Sequence, residues 1–334
     1  MRGVDLVRTS FDFDLTFAAL LMHPDGKVYH RYGARDERGA DTWLGMASWE
    51  SLLRSTLEEH EAYANSPGLP GVATSEDRKP LVLEEVPAFA KRDKGACIHC
   101  HSVFPALYEQ ALATDSWSND QRWVYPAPGR VGMDLDTNDQ TLVSAVAPAS
   151  VAARSGFRVG DRLIRAGDQD LATVSDLSQV LHDLSAQAGA VEVEIERGAV
   201  KRKLALELPR GWKRAPPLEY SWRAFKWGFK PAPGFGGPAL DAGEKRILGL
   251  PEEQFAFRLT YFVTWGENRR YGLQARGAGL REKDIFLSAD GMGDFASVDH
   301  FHAWWRLTRE IGKSVEVEIL RRGVRQSLKL EVLP

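Results

Sequence analysis

The feature that most constrains the fold is an internal repeat in the second half of the chain. The segment Val191 to Gly198 recurs at 315–323, and the segment Gly156 to Ile164 recurs at 279–287. Both pairs are offset by about 124 residues and keep their order, which indicates a duplicated module. In the first pair, valine or isoleucine alternates with glutamate, a pattern typical of strands with one buried face. The repeat therefore predicts two copies of one β-rich module.

The first copy resembles the PDZ domain. Its run from Ala153 to Asp161 is similar to the glycine-and-aspartate turn of bacterial PDZ domains, where glycine permits positive φ and the aspartate caps the turn. The helix of this copy is expected from about Val174 to Leu184. The resemblance implies that the module binds protein or peptide C-termini, with the peptide added to a strand edge beside this helix.

The PDZ resemblance also implies a loop for the C-terminal carboxylate of the peptide. An apolar-Gly-apolar pattern marks this loop, and its successive backbone N–H groups form a nest for an anion. The matching residues are Val131, Gly132 and Met133.

The second copy departs from this pattern. The position matching Gly132 falls near Ala256, which places the carboxylate loop of this copy in doubt. Its helix carries bulky aromatic residues together with His300 and His302. Because residues i and i+2 of a helix diverge by about 200°, these two histidines are poorly placed to share a ligand. We expect both to be packing or surface residues.

A second motif lies between the N-terminal part and the repeat. Cys97 and Cys100 are the only cysteines of the chain, and His101 follows directly. This spacing is typical of c-type haem attachment, with thioethers to both sulfurs and the histidine on the iron. A helical segment would place all three side chains on one face. The motif therefore predicts haem c bound by Cys97, Cys100 and His101.

The same residues allow other chemistry. A redox dithiol would use Cys97 as the attacking thiol and Cys100 as the resolving thiol. A structural disulfide between them is a further alternative, in a chain whose function is binding. Structural zinc would need a fourth ligand, and the sequence has no second Cys/His pair of matching spacing.

The N-terminal part begins with signals of a β-hairpin. An apolar run ends at Met22, a Pro-Asp-Gly turn ends at Gly26, and an alternating strand continues to Gly33. Helical periodicity follows over 43–63. Two strands and one helix are marginal in water, so either earlier strands are missing or a neighbouring domain covers the sheet. A Pro- and Gly-rich linker is expected over 64–96.

Composition excludes some functions. The chain is 43% apolar and 27% charged with a net charge of −3, which is typical of a soluble multidomain protein and argues against a nucleic-acid surface. No run of apolar residues is long enough to span a membrane. No secretory signal follows Met1, although c-type haem is attached outside the cytoplasm.

A broader resemblance covers most of the chain. Four segments together are similar to the bacterial thioredoxin/PDZ domain-containing (seleno)protein family, namely Phe13 to Thr16 with the hairpin, Cys97 to His101, Trp123 to Pro126 and Pro233 to Gly237. The resemblance implies a thioredoxin-like N-terminal domain whose redox cysteine or selenocysteine would lie upstream of Met1. The chain is then an N-terminally truncated member.

These observations predict an α+β multidomain protein with a partial thioredoxin-like segment, a short helical CxxCH segment and two PDZ-like modules. The expected divisions are 1–63, 64–127, 128–210, a linker at 211–252, and 253–334. The predicted function is electron transfer or binding rather than independent catalysis, with haem c, no nucleotide cofactor and an unidentified redox partner. We expect a periplasmic or otherwise exported protein whose signal peptide is absent from this chain, or a cytoplasmic one if Met1 is the true start.

Overall fold

The structure is a computed structural model that describes residues 1–65, 79–91, 95 and 97–334. Most of the Pro- and Gly-rich linker expected over 64–96 lies outside the described residues. The chain divides into unit 1, Met1 to Ala215, and unit 2, Pro216 to Pro334. Among the described residues, no helix is both long and apolar enough to span a membrane.

Unit 1 contains five helices and eight strands among its described residues. The helices are α1 (Met46–Ala64), α2 (Pro87–Ala90), α3 (Val103–Ala113), α4 (Val151–Arg154) and α5 (Val174–Asp183). The strands are β1 (Ala19–Met22), β2 (Val28–Tyr32), β3 (Met133–Leu135), β4 (Val143–Val146), β5 (Arg162–Ala166), β6 (Gln169–Asp170), β7 (Gly189–Arg197) and β8 (Val200–Leu208).

The strands of unit 1 form three antiparallel sheets. The largest has the order β6-β5-β7-β8, and its long hairpin pairs Gly189 with Leu208 at one end and Arg197 with Val200 at the other. In β7, Val191, Val193 and Ile195 are buried, as the alternation with glutamate predicts. The strands β3 and β4 form a second sheet. Their buried residues join those of α5 in one hydrophobic core.

The N-terminal hairpin forms the third sheet, β1 with β2, and it is covered by the rest of unit 1. The outer edge of β2 presents the carbonyl groups of Tyr29, Arg31 and Gly33, which alternate along the strand. They accept hydrogen bonds from the side chains of Gln169 at 3.0 Å, Thr173 at 2.5 Å and Ser175 at 2.7 Å. A neighbouring part of the chain therefore completes the hairpin, one of the two solutions expected for an otherwise marginal sheet.

Unit 2 contains four helices and six strands. The helices are α6 (Pro217–Tyr220), α7 (Ala242–Ile247), α8 (Arg269–Gly277) and α9 (Val298–Thr308). The strands are β9 (Phe235–Gly236), β10 (Phe257–Arg258), β11 (Tyr261–Phe262), β12 (Ile285–Ala289), β13 (Ser314–Arg321) and β14 (Val324–Glu331). One sheet has the order β10-β12-β13-β14 and the other pairs β9 with β11.

An equivalent arginine pairs with a buried aspartate in both units, at the positions that the repeat predicts. In unit 1, Arg197 Nε and Nη2 donate to Asp161 at 2.6 and 2.8 Å, and the N–H of Arg158 donates to the same carboxylate at 2.9 Å. In unit 2, Arg321 makes the corresponding bonds to Asp284, both at 2.7 Å. The same interaction therefore closes the turn before β5 in unit 1 and before β12 in unit 2.

The structural counterpart of Gly132 is Gly234, and the expected match near Ala256 is wrong. Gly132 has φ of 79° and precedes β3, whose Met133 pairs with Val146. Gly234 has φ of 78° and precedes β9, which pairs with β11 in the same way. Ala256 instead precedes β10, and its carbonyl oxygen accepts a hydrogen bond from another segment. A constant offset places the match too late because the connection from β9 to β11, residues 237–260, is longer than the connection from β3 to β4, residues 136–142.

Candidate binding sites

The first candidate site is the strand edge of β3 in unit 1. Among the described strands, β3 pairs only with β4, so its other edge has no strand partner. The N–H of Leu135 donates to the carboxylate of Asp134 at 3.0 Å instead of to a strand. A free edge with a donor held only by its neighbouring side chain can accept an extended polypeptide as an additional strand.

The predicted carboxylate loop lies at the start of β3. Gly132 is in the left-handed region, which glycine adopts without steric cost. Its N–H donates to the carbonyl oxygen of Gly129 at 2.9 Å, because residues Pro128–Val131 form a 3-10 turn. The side chains of Val131 and Met133 are buried in the core of unit 1. The structure thus brings the three predicted residues together, with the N–H of Gly132 already satisfied.

The start of α5 is joined to a segment before α1. The buried side chain of Gln140 joins the two parts: its Nε2 donates to the carbonyl oxygen of Trp43 at 2.9 Å, and its Oε1 accepts from the N–H of Val174 at 3.2 Å. The indole of Trp43 lies in the core and donates to Asp36 at 2.9 Å. These contacts fix the segment before α1 against the start of α5.

The opposite end of α5 is covered as well. The ring of Tyr125 stacks on His182 with centroids 4.1 Å apart. Lys213 Nζ donates to the carbonyl oxygen of His182 at 2.7 Å, and the indole of Trp212 donates to Ser185 at 2.9 Å. Burial lowers the pKa of Lys213 to about 8. A cation therefore caps the carbonyl group of His182 in the last turn of α5, and the indole binds the carbonyl group of Ser185 just beyond the helix.

A buried histidine joins the start of α5 to the N-terminal hairpin. His30 lies 3.0 Å from Asp176 on one side and 3.0 Å from Glu59 on the other. Burial lowers the pKa of His30, but the hydrogen bonds and charges of the two carboxylates outweigh it and raise this pKa to about 9. The imidazolium is therefore charged at neutral pH.

The cysteine motif lies on the surface before α3. Cys97 is exposed in an extended segment, while Cys100 is half-buried and opens a 3-10 turn that continues to Ser102. Both thiols are free, so the structural disulfide considered from sequence is wrong for this structure. The two sulfurs belong to different local conformations, since only Cys100 has entered the turn. The expected helical segment begins later, at Val103.

The motif can be tested for its fit to haem. His101 Nε2 lies 3.1 Å from the carbonyl oxygen of Leu15, a contact that requires the proton on Nε2. The nitrogen at the tip of the ring is then a donor and not a free ligand for iron. Cys97 and His101 also do not share a helical face, because Cys97 is not helical. As placed, the three residues do not fit a haem, and among the described residues no other cluster of possible metal ligands occurs.

The second candidate site is a cavity in unit 2 that the sequence did not predict. It has a volume of about 280 Å³ and lies between the β9–β11 sheet and α9. His302 and Arg306 of α9 reach it, together with Lys230. His300 does not line it: its Nδ1 accepts from the N–H of Ala296 at 3.1 Å. His302 is buried, as a packing residue would be, but both its ring nitrogens are without partners.

A sequence signal for this cavity existed. The run Pro-Ala-Pro-Gly occurs at 126–129 before β3 and again at 231–234 before β9, each time a few residues after a tryptophan. This second repeat marks the loop that leads into each short sheet. An alignment that uses only the strand and turn residues begins the second copy at 253, after this Pro-Ala-Pro-Gly run, and so leaves the loop before β9 out of the module.

Comparison with known proteins identifies part of unit 1. A family model for the PDZ domain matches residues 142–197, which contain β4 to β7 and the helix α5. The chain therefore contains a PDZ domain, and this domain suggests protein binding. Among curated proteins, no match is found. The comparison gives no support to the thioredoxin, haem or selenoprotein resemblance.

Proposed function

We propose that this protein is a binding protein whose PDZ domain holds an extended polypeptide as a strand added to β3. The observation that carries the proposal is the unpaired edge of β3 beside α5, with the N–H of Leu135 bound only by Asp134. An incoming carbonyl oxygen would replace that carboxylate. Backbone pairing of this kind supplies affinity, and side-chain contacts with α5 supply selectivity.

Strand addition is favoured over capture of a C-terminal carboxylate. The N–H of Gly132 already donates to Gly129, so a carboxylate there would have to displace an internal hydrogen bond. A free α-carboxylate therefore adds little to affinity in this proposal. The extended segment that binds can therefore lie within the partner chain or at its C-terminus.

The test uses the full chain and a library of random peptides displayed on phage. Selected peptides are synthesised with a free or an amidated C-terminus, and their affinities are measured by fluorescence anisotropy. We expect equal binding of the two forms. Affinity that depends on the free carboxylate would contradict strand addition and support carboxylate capture at Val131 to Met133, and a library without binders would overturn the proposal.

A pair of valine variants locates the site. Val180 is half-buried on α5 and packs against the core cluster that contains β3, whereas Val200 is 51% exposed at the start of β8. Val180→Lys is expected to weaken peptide binding about tenfold or more, since a charge replaces an apolar contact. Val200→Lys introduces the same side chain and should leave binding unchanged. Equal effects of both variants would contradict a site at α5.

Thiol exchange is a second candidate function, supported by two free thiols three residues apart, the first of which is exposed. In such a step the Cys97 thiolate attacks a substrate disulfide and releases one thiol. Cys100 then attacks the mixed disulfide, which releases the second thiol and leaves a Cys97–Cys100 disulfide. Insulin reduction by the full chain, lost in Cys97→Ser, tests this function. Absence of activity in the unsubstituted protein would exclude it.

Haem attachment, and export of the protein, stay predictions from the motif. Haem attachment would require His101 to leave Leu15 and the turn at Cys100 to rearrange. Expression with a cytochrome maturation system in the periplasm, followed by intact-mass measurement, decides between covalent haem and the bare polypeptide. A mass equal to that of the polypeptide alone excludes covalent haem.

A further inference from the structure

The cavity of unit 2 contains buried polar groups that the chain does not satisfy. His302 is 3% exposed, and neither ring nitrogen has a hydrogen-bond partner. Burial and the charges of Arg306 and Lys226 lower the pKa of His302 well below its usual value, so the ring is neutral. A neutral imidazole has one donor and one acceptor. Leaving both unpaired in the interior costs roughly 1–3 kcal/mol each.

The cavity also carries an excess of positive charge. Arg306 is buried, and its Nε has no partner, while Nη1 donates to the carbonyl oxygen of Phe229 at 3.1 Å. Burial lowers the pKa of Arg306 to about 10 and the pKa of Lys230 to about 8. Both groups remain mainly protonated at neutral pH. No aspartate or glutamate is among the cavity-lining residues of unit 2, all of whose residues the structure describes.

Aromatic side chains form the walls of the cavity. Trp227 contacts both His302 and Arg306. The centroid of its ring lies 4.7 Å from the ring centroid of His302 and 5.2 Å from the guanidinium carbon of Arg306. Tyr261 and Trp265 also line the cavity, and Trp265 is 62% exposed. Flat aromatic faces around a cation suit a planar ring better than a flexible chain.

A glycine leaves space for the two polar groups. A Cβ at Gly236 would lie 2.4 Å from the hydroxyl oxygen of Tyr261 and 3.2 Å from Nε2 of His302. Both atoms therefore face the same point of the backbone, where any larger residue would collide. The cavity volume of about 280 Å³ is close to the lower end of small-molecule sites, about 300 Å³.

We propose that the unit 2 cavity binds a small aromatic carboxylate that carries a ring hydroxyl. The carboxylate pairs with Arg306 and Lys230, and the ring lies against Trp227 and Trp265. The hydroxyl and a carboxylate oxygen satisfy the acceptor and donor of His302. This site is independent of the peptide site proposed for unit 1, so failure of one leaves the other standing.

The test is isothermal titration calorimetry of the full chain with 2- and 4-hydroxybenzoate. The matched neutral probe is 4-hydroxybenzyl alcohol, which keeps the ring and hydroxyl but has no charge. We expect at least one hydroxybenzoate to bind about tenfold more tightly than the neutral probe, because the charge-assisted hydrogen bonds are lost in the alcohol. Equal binding of the neutral probe would overturn the proposal.

Three variants assign the site. Lys230 is half-buried, Trp265 is exposed, and both line the cavity. Lys230→Gln and Trp265→Ala should each weaken hydroxybenzoate binding about threefold to tenfold. Lys313→Gln removes a positive charge from an exposed position outside the cavity and should have no effect. Circular dichroism confirms that the variants fold. An effect of Lys313→Gln equal to that of Lys230→Gln would refute the assignment.

Two further outcomes would also refute the proposal. One is the absence of hydroxybenzoate binding by the folded protein at millimolar concentration. The other is tighter binding of a short peptide that ends in a free C-terminal phenylalanine and whose affinity falls in Lys230→Gln and Trp265→Ala but not in Val180→Lys, which would make the cavity itself a peptide site.

Discussion

His30 Nδ1 lies 3.0 Å from the carboxylate of Asp176, which joins the N-terminal hairpin to the first turn of the PDZ helix. Asp176 is also the third residue of that helix and forms a capping box with Thr173. The same carboxylate accepts from the N–H of Arg31 at 2.8 Å. One buried side chain therefore orients β2, the helix start and the imidazolium together.

The first prediction concerns stability against pH. The pKa of His30 is raised from 6.5 to about 9, so its stabilisation is complete below pH 6.5 and is lost as pH rises to about 9. The free energy of unfolding, from denaturant titration of the full chain, should fall by at most about 3 kcal/mol over this range. His30→Gln should remove this fall.

The control for this prediction is His99→Gln, because His99 is exposed. That variant should keep the loss of stability between pH 6.5 and 9. A similar pH profile in His30→Gln and the unsubstituted protein would show that the His30 pair does not contribute. Glu59 affects stability at low pH. Its pKa is lowered from 4.5 to about 2, so its contribution to the free energy of unfolding is lost as pH falls below 4.5.

The second prediction compares two glycines of unit 2 that both have positive φ. A Cβ at Gly234 would lie 2.3 Å from the carbonyl carbon of Tyr271, whereas a Cβ at Gly249 meets nothing within 4 Å. Gly249→Ala should cost about 1–2 kcal/mol for the left-handed backbone alone. Gly234→Ala adds a backbone collision and should cost roughly 4 kcal/mol or more. Denaturant unfolding measures both, and equal costs would contradict the close approach.

The sequence predicted the parts of this fold that depend on local pattern. Alternation in β7 and β13 and the Pro-Asp-Gly hairpin turn each reflect nearest neighbours.

The contacts that define the sites could not be predicted in this way. The bond from Gly132 to Gly129 depends on the length of the preceding turn, and the cover of β2 depends on side chains about 140 residues away. His302 appeared poorly placed because it was paired with His300, its neighbour but one on the helix. Its actual relation is to Arg306, one turn later, and to Trp227 from another segment.

The third prediction concerns the two thiols. Cys97 is exposed, whereas Cys100 is half-buried with its sulfur 4.0 Å from the carbonyl oxygen of Leu15. Limiting iodoacetamide should therefore label Cys97 several times faster than Cys100, because alkylation requires access to the sulfur. Mass spectrometry of proteolytic peptides from time points gives the two rates. Equal rates in the folded protein would contradict this placement.

The last prediction concerns the repeated ion pair, which closes the turn before β5 in unit 1 and before β12 in unit 2. In unit 2, Asp284 is buried and accepts from Arg321 twice and from the N–H of Arg281 at 2.8 Å. Asp284→Asn leaves the guanidinium without its charged partner and should cost about 3 kcal/mol in unfolding free energy. Glu282→Gln, the control, breaks an exposed pair with Arg276 and should cost less than about 1 kcal/mol.

Hydrogen exchange followed by mass spectrometry locates the effect of Asp284→Asn. Faster exchange is expected in β12 and β13, which this ion pair joins through the turn, and exchange in β5 and β7 should stay unchanged because unit 1 keeps its own pair of Asp161 with Arg197. Since the two pairs have the same geometry, Asp161→Asn should produce the reverse pattern. Loss of protection in both units from either substitution would show that the two copies do not unfold independently.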